Sequence, residues 1–151
     1  MPTQDATSDH VVEQVDIRAT PDRVFDALVD PKQLGRWWGD SGRYRTRWEL
    51  DLRLGGEYVC YATGPDGSEM EVRGRFLEID RPRKLAYTWN ASWDPSGETT
   101  VVYEITPSDL GTLVRVTQSG FASDADRAGY KDGWGHVLAW LGSWVEVGER
   151  E

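Results

Sequence analysis

The side chains best suited to chemistry in this sequence are its eight tryptophans and six tyrosines. Several fall at alternate positions of apolar segments, so we expect them on one face of a β-strand. A Trp N–H or a Tyr O–H requires a hydrogen-bond partner when it is buried. Polar-tipped rings that converge on one space therefore predict a lined pocket as readily as a dry core. The rings that we place on inward faces are Trp48, Tyr58, Tyr87, Trp89, Tyr103 and Trp134.

Titratable side chains that could catalyse a reaction are few. Of the two histidines, His136 lies off the apolar stripe of the last helical segment and His10 begins the first strand. Cys60 shares a strand face with Tyr58, so we expect a buried thiol that behaves as a small hydrophobic group. His136 and Glu49 are the arguable candidates for an acid or a base. We predict no catalytic residue, and a non-catalytic role is favoured over an enzyme.

Composition argues against several classes of protein. Lys and Arg number 17 against 26 for Asp and Glu, which gives a net charge of -9. This acidic balance argues against binding to nucleic acid or to an anionic membrane surface. One cysteine and two histidines exclude an intramolecular disulfide and predict no metal site. The sequence contains no P-loop, no G-x-G-x-x-G, no G-x-S-x-G and no H-E-x-x-H motif, and we expect no cofactor.

The length of 151 residues is typical of one domain. No apolar run approaches the ~20 residues of a membrane span, so we expect no membrane insertion. Residues 1–9 are polar and lack the apolar core of a secretory signal. We therefore expect a frayed tail over residues 1–9, a single domain over residues 10–148, and a location in the cytoplasm.

Start signals for two short helices follow the first strand. Alternation of apolar and polar residues over 10–19 predicts a half-buried strand. The Thr-Pro-Asp sequence at 20–22 then supplies a capping residue, a first helical position and a negative charge at the positive end of the helix dipole. The Asp-Pro pair at 30–31 repeats the signal, so a second short helix is expected directly after the first.

A long β series and one long helix complete the chain. Alternating segments separated by turns run from residue 45 to residue 118, and the first of them is expected to continue to Leu54. From residue 124, apolar residues recur at helical spacing, with a stop near Gly148. A single sheet needs a cover for its apolar face, and only this helix is long enough. The predicted class is α+β: a curved antiparallel sheet of about six to seven strands wrapped on a C-terminal helix.

Seven short motifs occur in order over residues 11–147, and together they identify a superfamily. They lie at Ile17 to Leu28, Asp30 to Trp38, Asp51 to Gly56, Gly64 to Gly67, Gly74 to Ile79, Leu85 to Trp89 and Gly133 to Leu141. Their order and spacing resemble the START-like (SRPBCC, birch-pollen-allergen-like) proteins. Within these, the sequence is most similar to single-domain bacterial members of the family named after the heat-shock-protein-90 ATPase activator homologue. The resemblance implies the helix-grip fold.

The resemblance also implies a hydrophobic cavity between helix and sheet, and binding of a small apolar or aromatic molecule there is the favoured function. We expect the cavity to be lined by Trp38, Trp48, Tyr58, Cys60, Val72, Tyr87, Trp89, Tyr103, Val116, Gln118, Trp134 and Leu138. One alternative is a cofactor-free enzyme of the cyclase or dehydratase type that uses the same cavity. Another is a co-chaperone-like or other protein-interaction role. The expected oligomeric state is a monomer or a homodimer.

Glycines in the last helix suggest where the cavity opens. Gly129, Gly133, Gly135 and Gly142 each cost about 0.8–1 kcal/mol relative to alanine in a helix interior. We expect either that Gly133 permits close approach of helix and sheet or that the helix breaks near Gly129. This turn and the loop at 39–42 are expected to form a mobile entrance. Gly74→Leu or Val116→Trp is expected to fill the cavity and so to separate a cavity function from a surface function.

Overall fold

The fold of the chain is one open sheet with helices on one side of it. The computed structural model describes residues 10–39, 45–92, 97–121 and 124–148. Within these ranges the strands are β1 (His10–Ile17), β2 (Arg45–Leu50), β3 (Glu57–Thr63), β4 (Glu69–Asp80), β5 (Lys84–Ala91), β6 (Thr99–Pro107) and β7 (Thr112–Ser119). The helices are α1 (Pro21–Val29), α2 (Pro31–Trp37) and α3 (Asp124–Gly148). The predicted α+β class and the two short helices after the first strand are confirmed.

The seven described strands form a single antiparallel sheet in the order β1-β7-β6-β5-β4-β3-β2. Strands β2 to β7 pair with their neighbours in the sequence, and β1 pairs with β7, where Val15 lies opposite Val114. Strands β1 and β2, which are consecutive in the sequence, therefore lie at opposite edges of the sheet. The alternation of apolar residues directs one face of each strand towards the helices.

Asp30 joins the two short helices by serving both of them. Its backbone N–H donates to Asp26 O at the end of α1 (2.9 Å), and its carboxylate accepts from Lys32 N at the start of α2 (3.0 Å). Thr20 caps α1 in the same way and accepts from Arg23 N (3.2 Å). Each cap satisfies an N–H that has no partner within its helix. The two helices consequently follow each other without a loop, which sets the end of α2 against the sheet.

Helix α3 is continuous over its 25 residues, so the predicted break near Gly129 is wrong. The predicted close approach at Gly133 is also wrong, because a Cβ placed there would meet no atom within 4 Å. The close approach occurs at Gly142, where a Cβ would lie 3.7 Å from Ile17 Cγ1 of β1. None of the helices in the described part of the chain is long and apolar enough to span a lipid bilayer.

The strand predicted to continue to Leu54 ends at Leu50. Residues 51–56 instead form a tight turn, in which Gly56 N–H donates to Arg53 O (2.9 Å). Leu52 and Leu54 are consequently 43% and 67% exposed, although their spacing continues the alternation of β2. The pair Gly55 and Gly56 indicates a turn. The sequence does not show where this turn begins, because apolar residues continue at every second position up to Leu54.

Because Gly74 has no side chain, the Tyr58 ring can pass over β4 and reach the backbone of β5. The Tyr58 hydroxyl donates to Thr88 O (2.6 Å), and Thr88 Oγ1 accepts from Arg75 N (2.9 Å). A Cβ on Gly74 would lie 1.9 Å from Thr88 O and 2.6 Å from Tyr58 Cε1. Gly74→Leu would therefore disturb the sheet itself, and the expectation that it fills a cavity is wrong.

Candidate ligand-binding site

Two adjoining spaces lie between the helices and the sheet. The inner cavity has a volume of about 10 Å³ and is lined by Leu28, Leu34, Trp38, Trp48, Leu50, Tyr58, Phe76, Tyr87 and Tyr103. The outer groove has a volume of about 610 Å³, opens to solvent, and is lined by Trp38, Gly39, Thr46, Ala62, Met70, Trp89, Tyr130, Asp132, Gly133, Trp134, His136, Val137 and Trp140. The two short helices and strands β2 to β6 thus enclose the inner cavity, whereas α3, strands β2 to β5 and the residues that follow α2 form the outer groove.

The Trp38 ring separates the two spaces and lines both of them. Its centroid lies 5.1 Å from that of Trp48, 5.8 Å from that of Trp134 and 6.2 Å from that of Trp89. Trp38 follows directly after α2 and is half-buried. The position of this ring therefore decides whether the outer groove communicates with the inner cavity.

A ladder of aromatic rings fills the space behind Trp38. Successive centroids are 6.3 Å apart from Trp48 to Tyr58, 5.0 Å from Tyr58 to Tyr87, and 6.1 Å from Tyr87 to Tyr103. The first of these contacts is stacked, the second edge-on and the third tilted, and contacts of these kinds contribute about 0.5–1.5 kcal/mol each beyond the burial of area. The inner cavity is small because these rings occupy most of the volume that the curved sheet encloses.

Gln118 carries a hydrogen-bond chain that ties α3 to the sheet. Its Oε1 accepts from Trp134 Nε1 (2.7 Å) and its Nε2 donates to Thr99 Oγ1 (2.8 Å). Thr99 Oγ1 in turn donates to the carbonyl of Trp89 (3.2 Å). Gln118 has no exposed surface, and both ends of its amide are used within the protein. We therefore assign Gln118 a structural role in place of the expected ligand contact.

The polar tips of the remaining rings are not all satisfied. Trp89 Nε1 donates to the Tyr130 hydroxyl (3.1 Å). In contrast, Trp48 Nε1 is buried and has no hydrogen-bond partner in the described part of the chain. The buried Tyr103 hydroxyl interacts electrostatically with the Tyr87 hydroxyl, but the two groups do not form a well-oriented hydrogen bond. The inner cavity is thus bounded by a donor without an acceptor.

The groups that line or adjoin the inner cavity stay neutral near pH 7. Burial raises the pKa of the Tyr58, Tyr87 and Tyr103 hydroxyls well above their usual range, and their mutual proximity adds to the rise for Tyr58 and Tyr103. Burial also raises the pKa of the Cys60 thiol to about 12. These side chains can donate hydrogen bonds, but none is a base or a thiolate nucleophile at neutral pH.

The two candidate acid–base residues lie outside the inner cavity. The His136 ring lines the outer groove with 64% of its side chain exposed, and its Nδ1 lies 3.0 Å from Asp132 O. Glu49 is exposed on β2 and forms an ion pair with Arg47. Across the described ranges, no three His, Cys, Asp or Glu side chains lie close enough to hold a metal ion.

Comparison with known proteins places the chain in a family. The family described as Activator of Hsp90 ATPase homolog 1-like protein (AHSA1) matches residues 18–146. The chain belongs to this family. No protein with a curated description matches it.

Solved structures show the same AHSA1-like fold at low sequence identity. A protein from Chromobacterium violaceum is 22% identical with a TM-score of 0.79, over 91% of this chain and 98% of its own. One from Nitrosomonas europaea is 19% identical with a TM-score of 0.80, over 96% and 99%. An AHSA1-like protein from Aeromonas hydrophila is 22% identical with a TM-score of 0.79, over 94% and 95%. At these identities the likeness extends to the fold alone.

The predicted lining residues of this AHSA1-like chain divide into three groups. The inner cavity includes Trp38, Trp48, Tyr58, Tyr87 and Tyr103. The outer groove includes Trp38, Trp89 and Trp134. The others are buried in the core and line neither space: Cys60, Val72, Val116, Gln118 and Leu138. Val116 borders neither space, so we expect Val116→Trp to overpack the core instead of filling one of them directly. Contact of the lining residues with a ligand stays a prediction.

Sequence reasoning missed the residues that the helices contribute. Leu28 and Leu34 line the inner cavity because the apolar sides of α1 and α2 turn towards the sheet. Phe76 could have been included, since it shares the inward face of β4 with Val72. The outer groove draws on the exposed glycine Gly133, whose missing side chain leaves space that no hydrophobic pattern reports.

Proposed function

We propose that the protein binds a small apolar or aromatic molecule between the sheet and the C-terminal helix, with access through the outer groove. The observation that carries this proposal is the groove itself. Its volume of about 610 Å³ falls within the ~300–1,000 Å³ that small-molecule sites occupy. Its wall combines indole rings with a few polar groups at the rim, among them Asp132 and His136.

Binding would be driven by burial of apolar surface against the tryptophan rings. Each square ångström of apolar surface removed from water contributes about 25 cal/mol. Aromatic ligands gain a further contribution from stacked or edge-on contacts with Trp38, Trp89 and Trp134. The acidic net charge of -9 favours a neutral or cationic molecule over an anionic one.

The cofactor-free enzyme is the weaker alternative for this site. Such an enzyme needs a group that changes its protonation state near neutral pH beside the substrate. The inner wall presents hydroxyls with raised pKa values, the nearby Cys60 thiol is buried in the core with a raised pKa, and the exposed His136 lies outside the inner cavity. A protein-interaction role would leave the groove empty and is separated from the binding role by the experiment below.

Two leucine substitutions in α3 test the proposal. Gly133 lines the outer groove, whereas Gly135 faces a different surface of the same helix beside Glu13 and Lys131. A Cβ at either position meets no atom within 4 Å, so both variants are expected to fold. The probe is N-phenyl-1-naphthylamine, a neutral aromatic compound whose emission rises in apolar surroundings.

The wild-type protein and Gly135→Leu are expected to bind this probe with equal affinity, and Gly133→Leu at least tenfold more weakly, which is ~1.4 kcal/mol. Equal binding by both variants, or no binding by the wild type, would contradict the proposal. Native mass spectrometry of the freshly purified protein would then identify the natural ligand as an adduct that is lost on denaturation.

A further inference from the structure

The inner cavity holds a hydrogen-bond donor that the protein itself leaves unused. Trp48 is 8% exposed, lines the cavity, and finds no acceptor for its Nε1–H among the described residues. An indole N–H can only donate, so no change of protonation or tautomer relieves it. Buried polar groups without a partner are rare in folded proteins and call for a specific explanation. A hydrogen-bond acceptor that a bound ligand supplies would explain the unpaired Trp48 N–H.

A second donor borders the same cavity. Tyr103 is 1% exposed and its hydroxyl makes no hydrogen bond of acceptable geometry. The tyrosine can still rotate its O–H or accept a bond, so it is less constrained than Trp48. Two neighbouring indole groups are satisfied within the chain, Trp89 by Tyr130 and Trp134 by Gln118. The two buried ring donors without an acceptor, Trp48 and Tyr103, thus both border the inner cavity.

The inner cavity is too small for a ligand while Trp38 keeps its present position. Its volume of about 10 Å³ is close to the minimum of ~10–15 Å³ that one water molecule requires. The Trp38 backbone is held, because its N–H donates to Leu34 O (3.1 Å) and its carbonyl accepts from Thr46 Oγ1 (3.0 Å). Its half-buried ring, however, borders the open outer groove. Rotation of this one side chain into the groove would join the two spaces.

The slot that the Trp38 ring occupies is shaped for a planar ring. Trp48, Trp89 and Trp134 surround it, with centroids 5.1, 6.2 and 5.8 Å away. Its present occupant is an indole, which is flat, aromatic and about the size of two fused rings. A ligand of the same shape would replace these contacts with little loss.

We infer that the ligand is a planar aromatic molecule with a hydrogen-bond acceptor, that it displaces the Trp38 ring, and that its acceptor pairs with the Trp48 indole N–H. This inference rests on the proposed binding function and narrows the class of ligand. It predicts that removal of the Trp48 N–H weakens the binding of compounds that carry an acceptor more than the binding of compounds of the same shape that carry none.

Quinoline and naphthalene are the matched probes, because they share a shape and only quinoline has an acceptor nitrogen. Dissociation constants of both are measured for the wild type and for Trp48→Phe. Trp48→Phe is expected to raise the dissociation constant of quinoline about three- to tenfold more than that of naphthalene, which is the range expected for one hydrogen bond. Trp37→Phe is the matched control, since the Trp37 N–H is already bonded to Ala27 O (3.0 Å). It should leave the ratio of the two affinities unchanged.

The wild-type protein gives a second measurement that does not depend on how Trp48→Phe folds. In a ¹H–¹⁵N spectrum, the Trp48 indole N–H resonance should move downfield with quinoline and not with naphthalene. If both compounds bind with no such difference, and Trp48→Phe weakens them equally, the inference is overturned while the proposed function stands. If neither compound binds the wild type, both are overturned.

Discussion

Alanine at Gly74 and alanine at Gly133 are expected to change the stability of the protein in opposite directions. A Cβ on Gly74 would lie 1.9 Å from Thr88 O, which belongs to the backbone of a central strand and cannot turn aside. It would also displace the Tyr58 ring and so break the 2.6 Å bond from Tyr58 to Thr88 O. Overpacking costs about 1–3 kcal/mol, and an unpaired buried group about 1–3 kcal/mol more. We expect Gly74→Ala to lower the free energy of unfolding by about 2–6 kcal/mol.

Gly133→Ala is the matched control for this reasoning. Its Cβ would meet nothing within 4 Å, so only the helix propensity changes. Alanine in a helix interior is favoured over glycine by about 0.8–1 kcal/mol, and we expect the free energy of unfolding to rise by about that amount. Gly133→Ala also leaves most of the groove open, in contrast to Gly133→Leu.

Urea unfolding followed by far-ultraviolet circular dichroism would measure both changes under the same conditions. A Gly74→Ala protein within about 0.5 kcal/mol of the wild type would show that β4 and β5 can separate without cost, since ordinary surface changes fall in that range. A loss of stability in Gly133→Ala would show that α3 is not a regular helix at this point. Either result would refute the corresponding argument.

Two further predictions concern buried polar groups. Trp134→Phe removes the 2.7 Å hydrogen bond to Gln118 and leaves its amide oxygen unpaired, so urea unfolding should show a loss of about 1–3 kcal/mol. Because burial raises the pKa of Cys60 from 9.0 to about 12, the native state holds this proton more tightly than the unfolded chain. The free energy of unfolding should therefore fall as the pH rises from 9 to 12, by about 1.4 kcal/mol per pH unit for this group. Cys60→Ala should remove this contribution, and an unchanged pH dependence would contradict the assignment.

The fold could be predicted from the sequence because local signals and the global arrangement agree. The alternation within each strand, the Pro-containing helix starts and the single long amphipathic helix admit few arrangements. The failures occur where one pattern covers two structures. Leu52 and Leu54 continue the alternation of β2, yet the chain turns directly after Asp51, where bonds from Arg53 N to Asp51 O and from Gly56 N to Arg53 O replace strand pairing.

The site was predictable only in part, because a cavity depends on what is missing as well as on what is present. Strand alternation predicted the inward faces of Tyr58 and Tyr87. It could not tell whether an inward side chain borders open space, as these two rings do, or packs in the core, as Cys60 does. Helix packing decided the rest. Leu34 lines the inner cavity because of where α2 packs against the sheet, and Gly133 lines the outer groove because of where α3 packs against it.

The partners of the indole groups separate structural rings from a candidate recognition ring. Four tryptophans have their N–H satisfied within the chain: Trp37 by Ala27 O, Trp89 by Tyr130, Trp134 by Gln118 and Trp144 by Gln33. Each of these bonds joins two elements, so those rings have a structural reason to be polar. A phenylalanine at position 48 would fill much the same space without burying an unpaired donor. The indole at position 48 is therefore best explained by an acceptor that arrives from outside the chain, and the comparison of quinoline with naphthalene measures that difference directly.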